Sequence, residues 1–374
     1  MNIIVEELLG RSIIEIDNPL TKTELQDKVV MVTGAAGSIG NDIVKQLLKY
    51  FPKKIILIDQ SESGLYDLLF DIQKLVTQNI LIQTIVGNIT DEPRMNSIFK
   101  DTQPQLVFHA AAYKHVPMME SNPYEAVKVN IVGTRIVSNL SLKYGVNKFV
   151  LVSTDKAINP SSVMGMTKRV AELFVQGLNV EENDTTKFIV TRFGNVIESN
   201  GSVIPLFKKQ IEIGGPITVT HPEVTRYFIT IQEASQLVLE AAIMGEGGEI
   251  FLIDMGEPIK IVEIAKKMII LSGKNIKIQY IGLRSGEKLH EELLNYNENV
   301  MRTYHPKIKY VKSKIPNCLV IERKLDELNN LLHENNDDEL IANLKNIISD
   351  YINTNLEHEK FNKRQINNYT ILEN

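Results

Sequence analysis

Short apolar runs alternate with amphipathic stretches through the first half of the chain. Residues 28–33 (KVVMVT) form a β-branched run closed by glycines, the pattern of a buried strand. Apolar residues then recur at helical spacing over 38–50, at Ile39, Ile43, Val44, Leu47 and Leu48. The same reading predicts strands at 54–59, 80–87, 104–111, 148–154 and 186–193. Helices are expected at 61–76, about 91–100, about 123–143 and 163–179. Strand and helix alternating at this pitch predict an α/β fold, a doubly wound parallel sheet with helices on both faces. From about 195 the rhythm changes, as Gly201, Gly214, Gly215, Pro216, Pro222 and the stretch 245–248 punctuate short elements. That pattern predicts a smaller mixed α/β domain. Residues 321–352 return to helical periodicity, interrupted at HENNDDE, and the polar end of the chain reads as frayed. The expected division is a lead-in (1–27), a nucleotide-binding domain (28–194) to which some later segments return, a substrate domain (195–310) and a helical C-terminal region with a polar tail (311–374).

Composition narrows the class. The chain has 374 residues, 43% hydrophobic and 23% charged, with a net charge of −5 and interspersed signs. A nucleic-acid partner would want a basic face, so none is expected. The single cysteine, Cys318, excludes an internal disulfide framework and fits a reducing compartment. Near the start, Glu6, Glu7, Arg11, Glu15 and Asp17 interrupt the apolar residues, so no membrane span of about 20 residues is expected there. A signal peptide's basic start and apolar centre are missing too, and the chain reads as cytoplasmic.

The strongest local signal is Thr33-Gly34-Ala35-Ala36-Gly37-Ser38-Ile39-Gly40, between a strand and a helix. Glycines at 34, 37 and 40 permit a tight turn, close approach of backbone to a pyrophosphate, and tight helix–strand packing. Asp59 ends the second strand, where a carboxylate accepts from adenosine ribose hydroxyls and repels a 2′-phosphate. No Arg or Lys follows it in Gln60-Ser61-Glu62-Ser63, so NAD is favoured over NADP. Asn88 and Ile89 end the third strand beside the expected adenine, and Ala110, Ala111 and Ala112 end the fourth.

With Asn130 in KVNIVGT, these residues resemble the extended short-chain dehydrogenase/reductase family, whose nucleotide-binding domain is Rossmann-like. The runs Ser153-Thr154-Asp155-Lys156-Ala157 and Met164-Gly165-Met166-Thr167-Lys168 resemble the UDP-N-acetylglucosamine 4,6-dehydratases of bacterial glycan and polysaccharide biosynthesis. HAAAYKHVPMMESNP (109–123), RFGNVIESNGSVIP (192–205), HPEVTRYF (221–228), DMGEP (254–258) and GLRSGEKLHEELL (282–294) carry the likeness onward. VEELLGR (5–11) resembles the juncture at which longer members leave a membrane region, so the chain reads as a soluble form or a catalytic fragment.

The resemblance implies Asp155 as the acid protonating the departing C6 hydroxyl and Lys156 as the base at C5. It places Thr154 at the C4 oxygen and Lys168 at the nicotinamide ribose. A lysine near its ordinary pKa of about 10.4 is protonated at neutral pH, so Lys156 needs burial or a neighbouring cation, for which Lys168 is the candidate. Asn130 falls with the cofactor residues. In the second domain, Asn195 and Val196 meet the nucleotide diphosphate, Arg226 and Arg284 supply guanidinium forks, and Glu287 accepts from the uridine ribose. Lys114, His115 and Glu120 fall near the hexose, and a homo-oligomer is implied. No metal-ligand spacing is present.

One departure stands out. The wider family has Tyr-x-x-x-Lys, but position 164 is Met, and a thioether takes no proton. Either the chain is a ligand sensor, or Asp155 or a water held by Thr154 and Lys168 takes the C4 proton. A subset of the dehydratases shares this Met, which favours an active, C5-retaining enzyme over a C5-inverting dehydratase or a 4-epimerase.

Overall fold

The computed structural model describes residues 8–14, 18–76, 80–179, 185–294, 298–312, 315–334 and 336–349. The polar tail and the first residues of the VEELLGR stretch lie outside them. Six strands alternate with helices: β1 (Val29–Thr33), β2 (Lys54–Asp59), β3 (Leu81–Val86), β4 (Leu106–His109), β5 (Lys148–Thr154) and β6 (Lys187–Phe193). Short pairs follow, β7 (Asn195–Val196) with β10 (Phe228–Ile229), β8 (Ile217–Val219) with β13 (Ile278–Tyr280), and β9 (Thr225–Arg226) with β12 (Ile259–Lys260). β11 (Glu249–Ile253), β14 (Val300–Arg302) and β15 (Ile308–Lys312) return to the main sheet. Its order is β14-β15-β11-β6-β5-β4-β1-β2-β3, with β1–β6 and β11 parallel and β14 and β15 antiparallel. This is the Rossmann-like doubly wound sheet.

The strand order reverses between β1 and β4, and the crevice beyond their carboxyl ends is where such sheets bind ligands. Central strands are apolar on both faces because helices cover both, as in β1 and β4. A second apolar core gathers Ile204, Phe207, Ile217, Val219, Phe228, Ile261, Ile264 and Met268. Leu8 and Leu9 pack into this second core, whereas Leu25 packs among sheet residues.

The lead-in therefore touches both cores. Arg11 joins them to the chain's interior: NH1 donates to Glu233 Oε1 at 2.6 Å, Nε to the Met255 carbonyl at 3.1 Å and NH2 to the Phe228 carbonyl at 3.2 Å. Glu233 also closes a capping box with Thr230 at the start of helix Ile231–Met244. Farther along, Asn18 and Thr21 donate to Glu240 of that helix.

The helix expected over 123–143 is divided. Pro123–Val127 and Thr134–Lys143 are α-helical, and Lys128–Gly133 between them is a π-helical turn. The wider turn is found mostly as a single-turn bulge, often at functional sites. The C-terminal periodicity divides into Cys318–Leu332 and a helical stretch over 337–349. Among the described residues no helix is long and apolar enough to cross a membrane.

Candidate active site

Three adjoining hollows lie along the carboxyl ends of the parallel strands. The first is lined by Gly34, Gly37, Asp59, Gln60, Ser61, Asn88, Ile89, Ala110, Ala111, Ala112 and Tyr113. Here the glycines do what their spacing implied. Gly34 has φ of +69°, and a Cβ on it would fall 2.6 Å from the Ala111 nitrogen. A Cβ on Gly40 would fall 2.1 Å from the Gly34 oxygen, so helix Ser38–Leu47 seats directly on the loop. Gly37 precedes that helix without a side-chain cap, which leaves first-turn N–H groups for an anion. Asp59 holds the loop as well as facing the hollow: Oδ2 accepts from Ala36 N at 3.0 Å and Oδ1 from Ser61 N at 2.9 Å. Each oxygen keeps a lone pair for a ribose hydroxyl. The open cradle, uncapped amides and terminal carboxylate fit a dinucleotide.

The second hollow, of about 420 Å³, runs on from Gly34, Ser38, Ile39 and Gly40 past Lys114, His115, Thr154, Lys156, Met164, Lys168, Asn195 and Val196. It includes the stretch Ser199–Ser202, to which sequence reasoning assigned no role. Asn200 N donates to Ser38 Oγ at 3.1 Å, tying that stretch to the glycine-loop helix. His115 lies close to Gly201, where a Cβ would fall 2.5 Å from its ring. Burial, then the Lys114 charge, lowers the proton affinity of His115.

The third hollow joins Lys156, Ser161, Ser162, Arg226, Arg284, Glu287, Lys288 and Glu291. Glu287 accepts from Thr220 Oγ1 at 2.9 Å, Arg226 NH2 at 3.2 Å and Arg284 N at 3.2 Å. Arg226 also donates to the Thr225 and Leu289 carbonyls, which fixes its guanidinium. The side chain of Arg284 pairs with no carboxylate among the described residues.

Four residues sit in settings that the sequence did not suggest. Asn130 lines none of these hollows. It is fully buried, with Oδ1 accepting from Tyr113 N at 2.8 Å and Nδ2 donating to Tyr113 O at 3.0 Å and Thr167 Oγ1 at 3.1 Å. It shapes the cleft by gripping Tyr113. Glu120 likewise serves as a brace, accepting from Val163 N at 2.7 Å and Ser285 Oγ at 3.1 Å.

Asp155 stands behind the cleft wall rather than on it. It is 1% exposed, Oδ1 accepts from Thr154 Oγ1 and Lys156 Nζ, both at 2.9 Å, and Oδ2 is buried without a hydrogen-bond partner among the described residues. Its hydrogen-bonded route to the cleft runs through the Thr154 hydroxyl. Finally, Lys168 does not depress Lys156. Burial pushes the Lys156 ammonium toward neutrality, but the Asp155 and Glu291 carboxylates outweigh it and its pKa is raised. Lys168 donates instead to the Val152 carbonyl at 2.8 Å, and burial lowers its own pKa to about 8 against the opposing Glu172 charge.

Met164 is 2% exposed and occupies the cleft wall between Thr154 and Lys168 at the start of helix Val163–Gly177. Beneath the glycine loop, and unforeseen from sequence, His109 is locked between hydroxyls. Nδ1 meets Thr33 Oγ1 at 2.7 Å and Nε2 meets Thr134 Oγ1 at 3.0 Å. Burial, with the Lys168 charge, drives its pKa down to about 3.

Residues 30–313 match the family described as polysaccharide biosynthesis protein. The capsular polysaccharide biosynthesis protein CapD of Staphylococcus aureus is 48% identical over 88% of this chain, which spans 56% of that relative's length. A UDP-N-acetylglucosamine 4,6-dehydratase (inverting) of Campylobacter jejuni is 35% identical over 82% of this chain and 88% of its own. The X-ray structure of Pen from Bacillus thuringiensis superposes with a TM-score of 0.72 at 35% identity, covering 78% of this chain and 91% of that one. The chain therefore belongs to the polysaccharide biosynthesis protein family, within the extended short-chain dehydrogenase/reductase fold.

Proposed function

We propose that this chain is the catalytic unit of a UDP-N-acetylglucosamine 4,6-dehydratase that retains configuration at C5 and uses NAD. One observation carries the reading: Lys156 lines both the cleft running from the glycine loop and the pocket of Arg226 and Arg284. A hexose held between a nicotinamide and a diphosphate has to pass that point. Bound NAD would supply the acceptor and donor for the hydride exchanged between C4 and C6.

The chain's own groups divide the remaining work. Arg226 and Arg284 bind the diphosphate, and Glu287 orients the Arg226 guanidinium and holds the Arg284 backbone. Thr154 takes the C4 hydroxyl proton while passing its own to Asp155 Oδ1 along the bond already in place. That relay needs no tyrosine, so Met164 serves as apolar packing against the sugar. The proton on Asp155 then returns through the Thr154 hydroxyl to the departing C6 hydroxyl, while Lys156 removes the C5 proton and returns it to the same face. Lys168 holds the nicotinamide ribose. Asp59 favours NAD, since Gln60, Ser61 and Asn88 around it offer no cation to a 2′-phosphate.

A C5-inverting outcome is the second reading, favoured by the name of the Campylobacter relative. Incubation with UDP-N-acetylglucosamine and NAD tests both. Mass spectrometry should show loss of one water, and product NMR should show the configuration of the starting sugar at C5. NAD binding without any loss of water would leave a sensor and overturn the dehydratase.

A further inference from the structure

Lys156 has too many anions about it to act as a base as it stands. Its Nζ lies 2.9 Å from Asp155 Oδ1, 2.9 Å from Asn195 Oδ1 and 3.6 Å from Glu291 Oε1. Glu291 comes from the second half of the chain and is 8% exposed, and its Oε2 is buried without a hydrogen-bond partner among the described residues. Arg226, Lys288 and Lys168 nearby are already committed, and Arg284 makes no ion pair with Glu291 among the described residues. Arg226 Nε lies 3.8 Å from Glu291 Oε1 but is tied to Glu287 as well, and Lys288 Nζ donates to the Ile158 carbonyl at 2.8 Å. Arg284 lines the same pocket, Tyr227 feels the Asp155 charge, and Lys168 is held on Val152. A buried carboxylate oxygen without a donor carries a desolvation cost that taking up a proton removes.

We propose that Glu291 is the proton store of the site, taking the proton from the Lys156 ammonium so that a neutral amine can accept the C5 proton. This deepens, and rests on, the dehydratase reading. The trigger is the C4 step. Once Asp155 has gained the C4 proton through Thr154, Lys156 loses one of its two anions and holds its own proton less tightly. The proton passes to Glu291. The amine then takes the C5 proton and returns it to carbon, and Glu291 hands its proton back to nitrogen. Nothing is consumed over the cycle.

The test is Glu291→Gln, which keeps the shape and removes the proton acceptor. With UDP-N-acetylglucosamine and NAD, transient NADH absorbance from the C4 step should persist. Product formation should fall by roughly 100-fold, the scale of one general acid–base group. The loss should shrink only as the pH rises toward the ordinary lysine value of about 10.4, where solvent begins to deprotonate the lysine directly. A product rate within twofold of the unmutated protein, an NADH signal lost in parallel, or a loss unchanged at high pH would each overturn the proposal. A second readout needs no turnover. In protein labelled with 15N-lysine, the Lys156 Nζ titration midpoint should drop in Glu291→Gln, and an unmoved midpoint also overturns the coupling. Absence of product from the unmutated protein would sink the dehydratase reading instead, leaving that titration to judge the Glu291–Lys156 pair.

Discussion

Two buried ionic clusters flank the end of β5, and they are built to opposite standards. On one side, Glu172 Oε1 accepts from Arg192 Nε at 2.8 Å and Ser153 Oγ at 2.6 Å. Its Oε2 accepts from Arg192 NH2 at 2.7 Å and Arg169 NH1 at 2.9 Å, and Arg192 NH1 reaches Glu298 at 2.9 Å. Burial raises the Glu172 pKa, but the two guanidinium groups and the serine outweigh it and hold it at about 2. On the other side, Asp155 and Glu291 share Lys156, and each keeps a buried oxygen with no hydrogen-bond partner among the described residues. The same low dielectric surrounds both. A saturated network locks its charges and fixes the strand, whereas an unsaturated one leaves its protons movable.

Crossing the two clusters should separate rate from stability. Asp155→Asn keeps the acceptor facing Thr154 and Lys156 but cannot carry a proton as an acid. Product formation should fall by about 1,000-fold, while urea unfolding shifts by less than about 1 kcal/mol. A large loss of stability with modest loss of rate would reverse the comparison. Arg192→Met should do the opposite. Removing Arg192 takes two of the donors from buried Glu172 and the guanidinium from Glu298, and should cost about 3–5 kcal/mol of unfolding free energy, with activity per folded molecule nearly kept.

The smallest effect concerns His109, a neutral buried group whose partners are also saturated. Its folded pKa of about 3 lies below the ordinary histidine value of 6.5, so the unfolded chain takes up a proton that the folded one refuses. Stability should therefore fall as pH drops below 6.5 toward 3, at up to about 1.4 kcal/mol per pH unit. Between about pH 6.5 and 5, above the range in which Glu172 titrates, His109→Gln should flatten that slope in denaturant titrations. An unchanged slope would mean that His109 is not the group responsible.

The sheet and the glycine-lined hollow at its switch point were legible because their signals are local. The glycine loop, Asp59 and the alanines closing β4 each sit at the end of a strand recognisable from its own residues. The chemistry around Lys156 was not legible in the same way. The sign of its pKa shift depends on Glu291, a residue inside a quoted motif whose approach only tertiary folding creates. Arg192 and Glu298 likewise meet across 106 positions. The braces that Asn130 and Glu120 make were not foreseen, since spacing cannot say which backbone groups a side chain will satisfy. The π-helical turn was hidden because its six residues, Lys128–Gly133, keep an apolar pattern that an α-helix would share.

The lead-in changes how cleft motion must be pictured. Leu8 and Leu9 are anchored in one core, Leu25 in the other, and Arg11 grips two carbonyls and Glu233 between them. Hydrogen bonds weaken steeply with length, so a shift of an ångström or so at Arg11 would release these contacts nearly together. The segment would then act mechanically as a latch with two positions rather than as a spring of graded tension.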